Sequence, residues 1–149
     1  AITFGPIDKM TVGLARIIHQ TVLPQRYEED FYKQLVEGKV VHGELAFMNG
    51  DVAVGEVCYT INENGEEKEL VIKTFSVLKV YQRRGIATKL IQNLLEKNST
   101  IHTFRTHVQP GNSAAIAFLQ KLGFHEVGRD DGFFKTLDDQ CALVYSMTR

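Results

Sequence analysis

Gln82-Arg83-Arg84-Gly85-Ile86-Ala87-Thr88-Lys89 is the stretch on which the reading of this chain turns. An apolar, strand-like run, Leu70 to Leu78, leads towards it, and a helical pattern, Ile86 to Lys97, leads out of it. At a strand-to-helix turn the first amides of the helix have no intrahelical acceptor and point one way. The helix dipole adds partial positive charge at the same end. Such a turn suits a phosphate or pyrophosphate. Gly85 and Ala87 keep side-chain bulk away, so an anion can approach the backbone, and Arg83 and Arg84 add charge at the mouth. A solvated basic loop that carries a glycine is the plainer reading; the strand before and the helix after favour the anion site. The stretch is neither a P-loop nor a dinucleotide fingerprint, because no Gly-Lys-Ser/Thr follows and Gly-x-Gly-x-x-Gly is absent.

The 149 residues fit one domain, 1–149, with room for a full core. A composition of 44% hydrophobic and 23% charged residues is that of a soluble globular protein. The net charge of −1 gives no global field that would favour nucleic acid or a membrane surface. No apolar run approaches the length that spans a bilayer, and no signal peptide is visible. The two cysteines, Cys58 and Cys141, are too few for a disulfide framework and sit in apolar strand-like runs. They read as buried thiols of a reducing compartment, which places the chain in the cytoplasm. No cysteine–histidine cluster has metal-site spacing, so no metal is expected.

Ala1 to Phe4 reads as an edge strand. Asp8 caps a helix whose apolar face is Met10, Leu14, Ile17 and Ile18, with Val22 near its end and Pro24 as the stop. Glu28 to Glu37 is a second helix, with Phe31, Tyr32, Leu35 and Val36 inward and Gly38 ending it. Strands follow at Glu44 to Met48, Val52 to Ile61 and Lys68 to Leu78, joined by turns at Asn49-Gly50-Asp51 and Asn64-Gly65. After the Gly85 helix come a strand, Thr100 to Val108, and a turn at Pro110-Gly111. Asn112 or Ser113 caps a helix that runs through Leu122 and ends at Gly123. Phe124 to Val127 starts a strand, Gly128 to Asp139 is a polar loop interrupted by Phe133 and Phe134, and Ala142 to Met147 closes the fold. This order predicts an α+β arrangement around one mostly antiparallel sheet.

With the turn and the element order in place, the chain resembles the GNAT acetyltransferase superfamily. Gln82 to Ala87 matches its Gln/Arg-x-x-Gly-x-Gly/Ala signature, and the element order matches over nearly the whole chain. Three further segments are similar to San-type N-terminal acetyltransferases: Leu23-Pro24-Gln25-Arg26-Tyr27 with Asp30-Phe31-Tyr32, His107-Val108-Gln109 with Asn112 to Leu119, and Phe133-Phe134. The resemblance implies a central, mostly antiparallel, twisted sheet of about seven strands flanked by about four helices. It implies acetyl-CoA as co-substrate, no metal, and transfer of acetyl to the α-amino group of protein or peptide N-termini, of the methionine-hydrophobic type. Association with a ribosome-associated N-terminal acetyltransferase complex belongs to the same implication; nucleic acid and membrane do not.

The resemblance also assigns roles. His107 becomes the catalytic base. Histidine titrates near roughly 6.5 and an α-amino group near roughly 8, so proton transfer is nearly balanced at neutral pH. A lysine amine, at roughly 10.4, is harder to deprotonate. The coenzyme falls to Phe75, Ser76, Val77 and Leu78 along the pantetheine arm and to Gln82, Arg83, Arg84, Gly85, Ile86, Ala87 and Thr88 at the pyrophosphate. Asn112, Ser113 and Leu119 complete that set. Backbone amides in Phe75 to Val77 supply the oxyanion donor. Leu23, Pro24, Gln25, Tyr27, Lys73, Phe133 and Phe134 fall to the peptide substrate.

Five positions depart from the family pattern. Val71 stands where a tyrosine is paired with the histidine, and Leu119 where many members carry a tyrosine near the coenzyme sulfur. Gln25 replaces a common valine, and Phe133-Phe134 replace a pair of tyrosines. Two other readings use the same residues. A GNAT enzyme of a small amine, such as a polyamine or amino sugar, would have acidic groove residues, for which Glu56 and Glu69 are the candidates. An acyl-CoA-binding module without useful catalysis is the reading that Val71 and Leu119 suggest. Neither cysteine sits in a nucleophile constellation, so direct attack in a ternary complex is expected rather than an acyl-enzyme.

Overall fold

A computed structural model describes all residues, 1–149. Its elements in chain order are β1 (Ile2–Pro6), α1 (Val12–Val22), α2 (Glu29–Glu37), β2 (Val41–Met48), β3 (Val52–Asn64) and β4 (Glu67–Val77). A short 3-10 turn at Lys79–Tyr81 follows, then α3 (Ile86–Lys97), β5 (Thr103–Val108), α4 (Ser113–Lys121), β6 (His125–Asp130) and β7 (Ala142–Thr148). The strands form one sheet in the order β1-β2-β3-β4-β5-β7-β6. Pairs β1–β2, β2–β3, β5–β7 and β6–β7 are antiparallel, and β4–β5 is parallel. Seven strands and four helices in this arrangement are the α+β fold expected from the sequence.

Packing divides the chain into two units, residues 1–60 with 73–99 and residues 61–72 with 100–149. In the first, α1 and α2 cover a core that includes Ile7, Ala15, Ile18, Leu35 and Leu45. In the same unit α3 buries Ile86, Leu90, Ile91 and Leu94, each worth about 1.5–3 kcal/mol relative to exposure. Gly55 makes the seating of α3 possible. A Cβ there would lie 2.9 Å from the Ser76 carbonyl oxygen and 3.1 Å from Leu90 Cδ1. In the second unit β5 alternates cleanly: Phe104, Thr106 and Val108 are buried, and Thr103, Arg105 and His107 lie half-buried between them.

Several expectations shift. The apolar face of α1 is not Met10, Leu14 and Ile17: Met10 is 82% and Ile17 59% exposed, and Leu14 is exposed as well. The helix instead buries Ala15, Ile18 and His19. Only Ile18 of the expected core-facing set is buried, because the helix is turned to place His19 against a buried charge on β3. Asp8 does not cap α1 but closes the turn before it, its Oδ1 accepting from the amides of Met10 at 2.9 Å and Thr11 at 3.1 Å. Val36 is exposed while Tyr32 and Leu35 are buried. Strand β2 begins at Val41, three residues early, because its ladder to β3 continues to Val41↔Thr60. Strand β6 runs to Asp130, into the expected loop, held by pairing with β7 through Asp130↔Ala142. At α4 the expected cap is present: Asn112 Oδ1 accepts from the Ala115 amide at 3.2 Å.

Candidate active site

The Gln82–Lys89 stretch forms the turn that its sequence suggests. Gly85 is the N-cap of α3 at φ +77°, with no side-chain cap, and a Cβ there would meet nothing. Glycine is therefore present for its left-handed backbone rather than for space. The first helical bond is Lys89 N–H to the Gly85 carbonyl at 3.1 Å. The amides of Ile86, Ala87 and Thr88 precede it and have no intrahelical acceptor. Arg83 also has a positive φ, +65°. The Arg84 guanidinium lies 5.5 Å over the Tyr81 ring. Gln82 Nε2 donates to the Val77 carbonyl at 3.0 Å and so ties the turn to the end of β4.

On β4 itself, the parallel ladder to β5 ends at Ile72↔Thr106, although the strand continues to Val77. Ser76 and Val77 are buried and Phe75 is half-buried. Lys73 is exposed. Its carbonyl accepts from the Tyr27 hydroxyl at 3.4 Å. Burial, and then the charge of Glu56, pushes the Tyr27 phenol up, so it stays a donor at neutral pH.

Leu23, Pro24, Gln25 and Tyr27 line one cavity of about 520 Å³, together with His19 and Tyr32. Leu23 ends α1, its amide donating to the His19 carbonyl at 2.9 Å. The Gln25 Oε1 atom is buried without a hydrogen-bond partner. Among the loop residues the structure thus gathers four of the expected substrate contacts.

In the second unit His107 lies flat against Phe133, ring centroids 3.8 Å apart and planes 3° from parallel. Phe134 meets Phe133 edge-on at 5.0 Å. The Phe134 amide donates to the Gln140 carbonyl at 3.0 Å, closing the loop that presents both rings. Val71, where the family pattern has a tyrosine, is buried and registers against Arg105. Asn112 lines a second cavity of about 430 Å³ with Gln109, Pro110, Gly111, Asp139 and Cys141. Ser113 opens α4, and Leu119 is buried on it.

A polar cluster that the sequence reading missed lies between α1 and β3. Glu56 is 0% and His19 2% exposed. Glu56 Oε1 accepts from Thr74 Oγ1 at 2.5 Å and from Cys58 Sγ at 3.3 Å, and His19 Nε2 lies 2.8 Å from the same oxygen. Glu56 is therefore buried in the core, not lining an acidic groove. Glu69 is tied to Arg105 at 3.1 Å. A signal was available: a glutamate inside the apolar run Val54–Tyr59 needs a buried partner. Both cysteines are buried free thiols, as expected.

The chain matches the Acetyltransferase (GNAT) family over residues 13–124. It is 33% identical to N-alpha-acetyltransferase 50 of Danio rerio over 147 residues, 96% of this chain and 86% of that protein. It is 30% identical to the probable N-acetyltransferase san of Drosophila melanogaster, over 99% of this chain and 81% of that one. The solved structure of Arabidopsis thaliana Naa50 in complex with the bisubstrate analogue CoA-Ac-MVNAL superposes with a TM-score of 0.88 at 22% identity, covering 99% of each chain. No helix is long and apolar enough to cross a membrane.

Proposed function

This chain belongs to the GNAT acetyltransferase family, and on that footing we propose that it is an N-alpha-acetyltransferase, one domain over residues 1–149, which moves acetyl from acetyl-CoA to the free α-amino group of protein N-termini. The observation that carries this reading is the 33% identity to an N-alpha-acetyltransferase over 96% of the chain. The amides of Ile86, Ala87 and Thr88 and the positive end of α3 receive the coenzyme pyrophosphate, with Arg83 and Arg84 beside them. Phe75 to Leu78 receive the pantetheine arm, which bonds to exposed backbone as an added strand would. Asn112, Ser113 and Leu119 complete the coenzyme site.

The amine nitrogen attacks the thioester carbonyl directly. A backbone amide in Phe75 to Val77 steadies the oxyanion. His107 accepts the amine proton, and the thiolate leaves without a dedicated acid at Leu119, since a thiol of pKa roughly 8.5 is a fair leaving group. Leu23, Pro24, Gln25, Tyr27, Lys73, Phe133 and Phe134 hold the first residues of the peptide, of the methionine-hydrophobic type. The cytoplasm and a ribosome-associated acetyltransferase complex are the setting that follows from this substrate class.

Glu56, as a core residue, and Glu69, paired with Arg105, do not supply the free acidic groove that a polyamine acceptor needs. The test is steady-state CoA release from acetyl-CoA with short N-terminal peptides, free polyamines and lysine-only peptides. Turnover is expected on methionine-starting peptides, with a loss of about 10²–10⁴-fold in His107→Ala. Turnover on polyamines alone, or coenzyme binding with no turnover at all, overturns the reading.

A further inference from the structure

The contact between α1 and β3 holds three metal-ligating side chains that acetyl transfer does not use. His19, Glu56 and Cys58 are all buried, and their ligand atoms lie within 4.8 Å of one another. The carboxylate is unevenly used. Its Oε1 takes Thr74 and Cys58 and faces His19, whereas Oε2 is buried with no partner. His19 Nε2 also lacks an aligned hydrogen bond, despite lying 2.8 Å from Oε1. A carboxylate oxygen left without a partner at such depth is rare and calls for a charge to meet it.

We infer that this cluster is a closed site for one divalent zinc-class ion, with His19 Nε2, Cys58 Sγ and the Glu56 carboxylate as its ligands. The donor set is one imidazole nitrogen, one thiolate sulfur and carboxylate oxygen, which suits a borderline-soft ion such as zinc and not magnesium or calcium. Oε2 has no other partner, so the carboxylate can chelate the ion through both oxygens and complete a distorted four-coordinate shell. Zinc bonds of about 2.0–2.3 Å place neighbouring ligand atoms about 3.3–3.7 Å apart. The Cys58–Glu56 separation of 3.3 Å already reaches that range, and the His19–Glu56 separation of 2.8 Å opens by about half an ångström to do so.

Charge supports the same assignment. On binding, the Cys58 thiol gives up its proton to solvent. A dication, one thiolate, one carboxylate and a neutral imidazole then sum to zero, the balance that an apolar core tolerates. The surrounding shell is also in place. His19 Nδ1 lies 2.8 Å from the Tyr32 hydroxyl, so with Nε2 on the ion the ring proton sits on Nδ1 and is donated to Tyr32. The Thr74 hydroxyl orients the carboxylate. His19 lines the 520 Å³ cavity as well. The ion ties α1 to β3; it takes no part in acetyl transfer, whose expected metal-free chemistry is untouched.

The test uses the full chain, stripped with a chelator and titrated with Co²⁺ and then Zn²⁺. The expected result is one Co²⁺ per chain with a tetrahedral spectrum and a thiolate-to-cobalt charge-transfer band, displaced by Zn²⁺. Cys58→Ser should abolish the band, and Cys141→Ser should keep it. Tyr32→Phe keeps the ring packing and should weaken Co²⁺ binding about 10–100-fold. No charge-transfer band in a chain folded by circular dichroism overturns the proposal, as does a band that survives Cys58→Ser. Should Cys58→Ser fail to fold, X-ray absorption of the zinc-loaded wild type decides: one sulfur in the zinc shell supports the site, and none overturns it.

Discussion

The turn at the start of α3 and the contact between α1 and β3 solve the same problem, unpaired polar groups, in opposite ways. At α3 the groups are backbone amides at the surface of the first unit, opened to solvent by a left-handed glycine. Between α1 and β3 they are side chains with 0–2% exposure, turned on one another. The first set is left for the coenzyme proposed to bind there. Only neighbouring residues, or an ion, can satisfy the second. A substitution in the turn should therefore disturb binding more than stability, and one in the contact should do the reverse.

The sharpest way to break that contrast is Glu56→Ala. Removing the carboxylate strands His19, Thr74 and Cys58 in the core, and a loss of about 3–5 kcal/mol is expected in urea unfolding of the metal-stripped chain. A loss below 1 kcal/mol would show that the cluster is wetter than its burial implies. Gly85→Ala comes next. It forces a side chain into φ +77° and should cost about 1–2 kcal/mol, together with a raised KM for acetyl-CoA. The mildest is Arg84→Ala, a surface change expected to move stability by no more than about 0.5 kcal/mol. Its KM for acetyl-CoA should still rise several-fold, with kcat for the peptide unchanged. If stability falls as far as binding does, the division between a binding turn and a structural contact fails.

The same division decides what the sequence made readable. Gln82 to Lys89 is local: strand, turn and helix lie within a few residues, and the glycine marks its own conformation. The α1 face is not local. Met10, Leu14 and Ile17 repeat with helical spacing, and so do Ala15, Ile18 and Val22; hydropathy ranks a histidine below a methionine. What selects the buried face is Glu56, on a strand reached only after α2 and β2. The second half of strand β6, beyond the expected Val127, escaped for a related reason. All six residues of the strand are exposed, so it carries no alternation and is defined by β7 alone. At the candidate site the family pattern pointed to His107, whose role the activity test decides, whereas its flat contact with Phe133, 26 positions on, needed the fold.

That flat contact has a consequence for the timing of a proton. An imidazole pressed face to face on a phenyl ring keeps both nitrogens at its rim, in one plane. Turning the ring about its own bond would break the stack, so the orientation survives a change of charge. In the role proposed for His107, a base held this way would meet each incoming amine already aimed and shed its proton from the same pose in which it took it up. Little of the surrounding structure then has to rearrange between one turnover and the next.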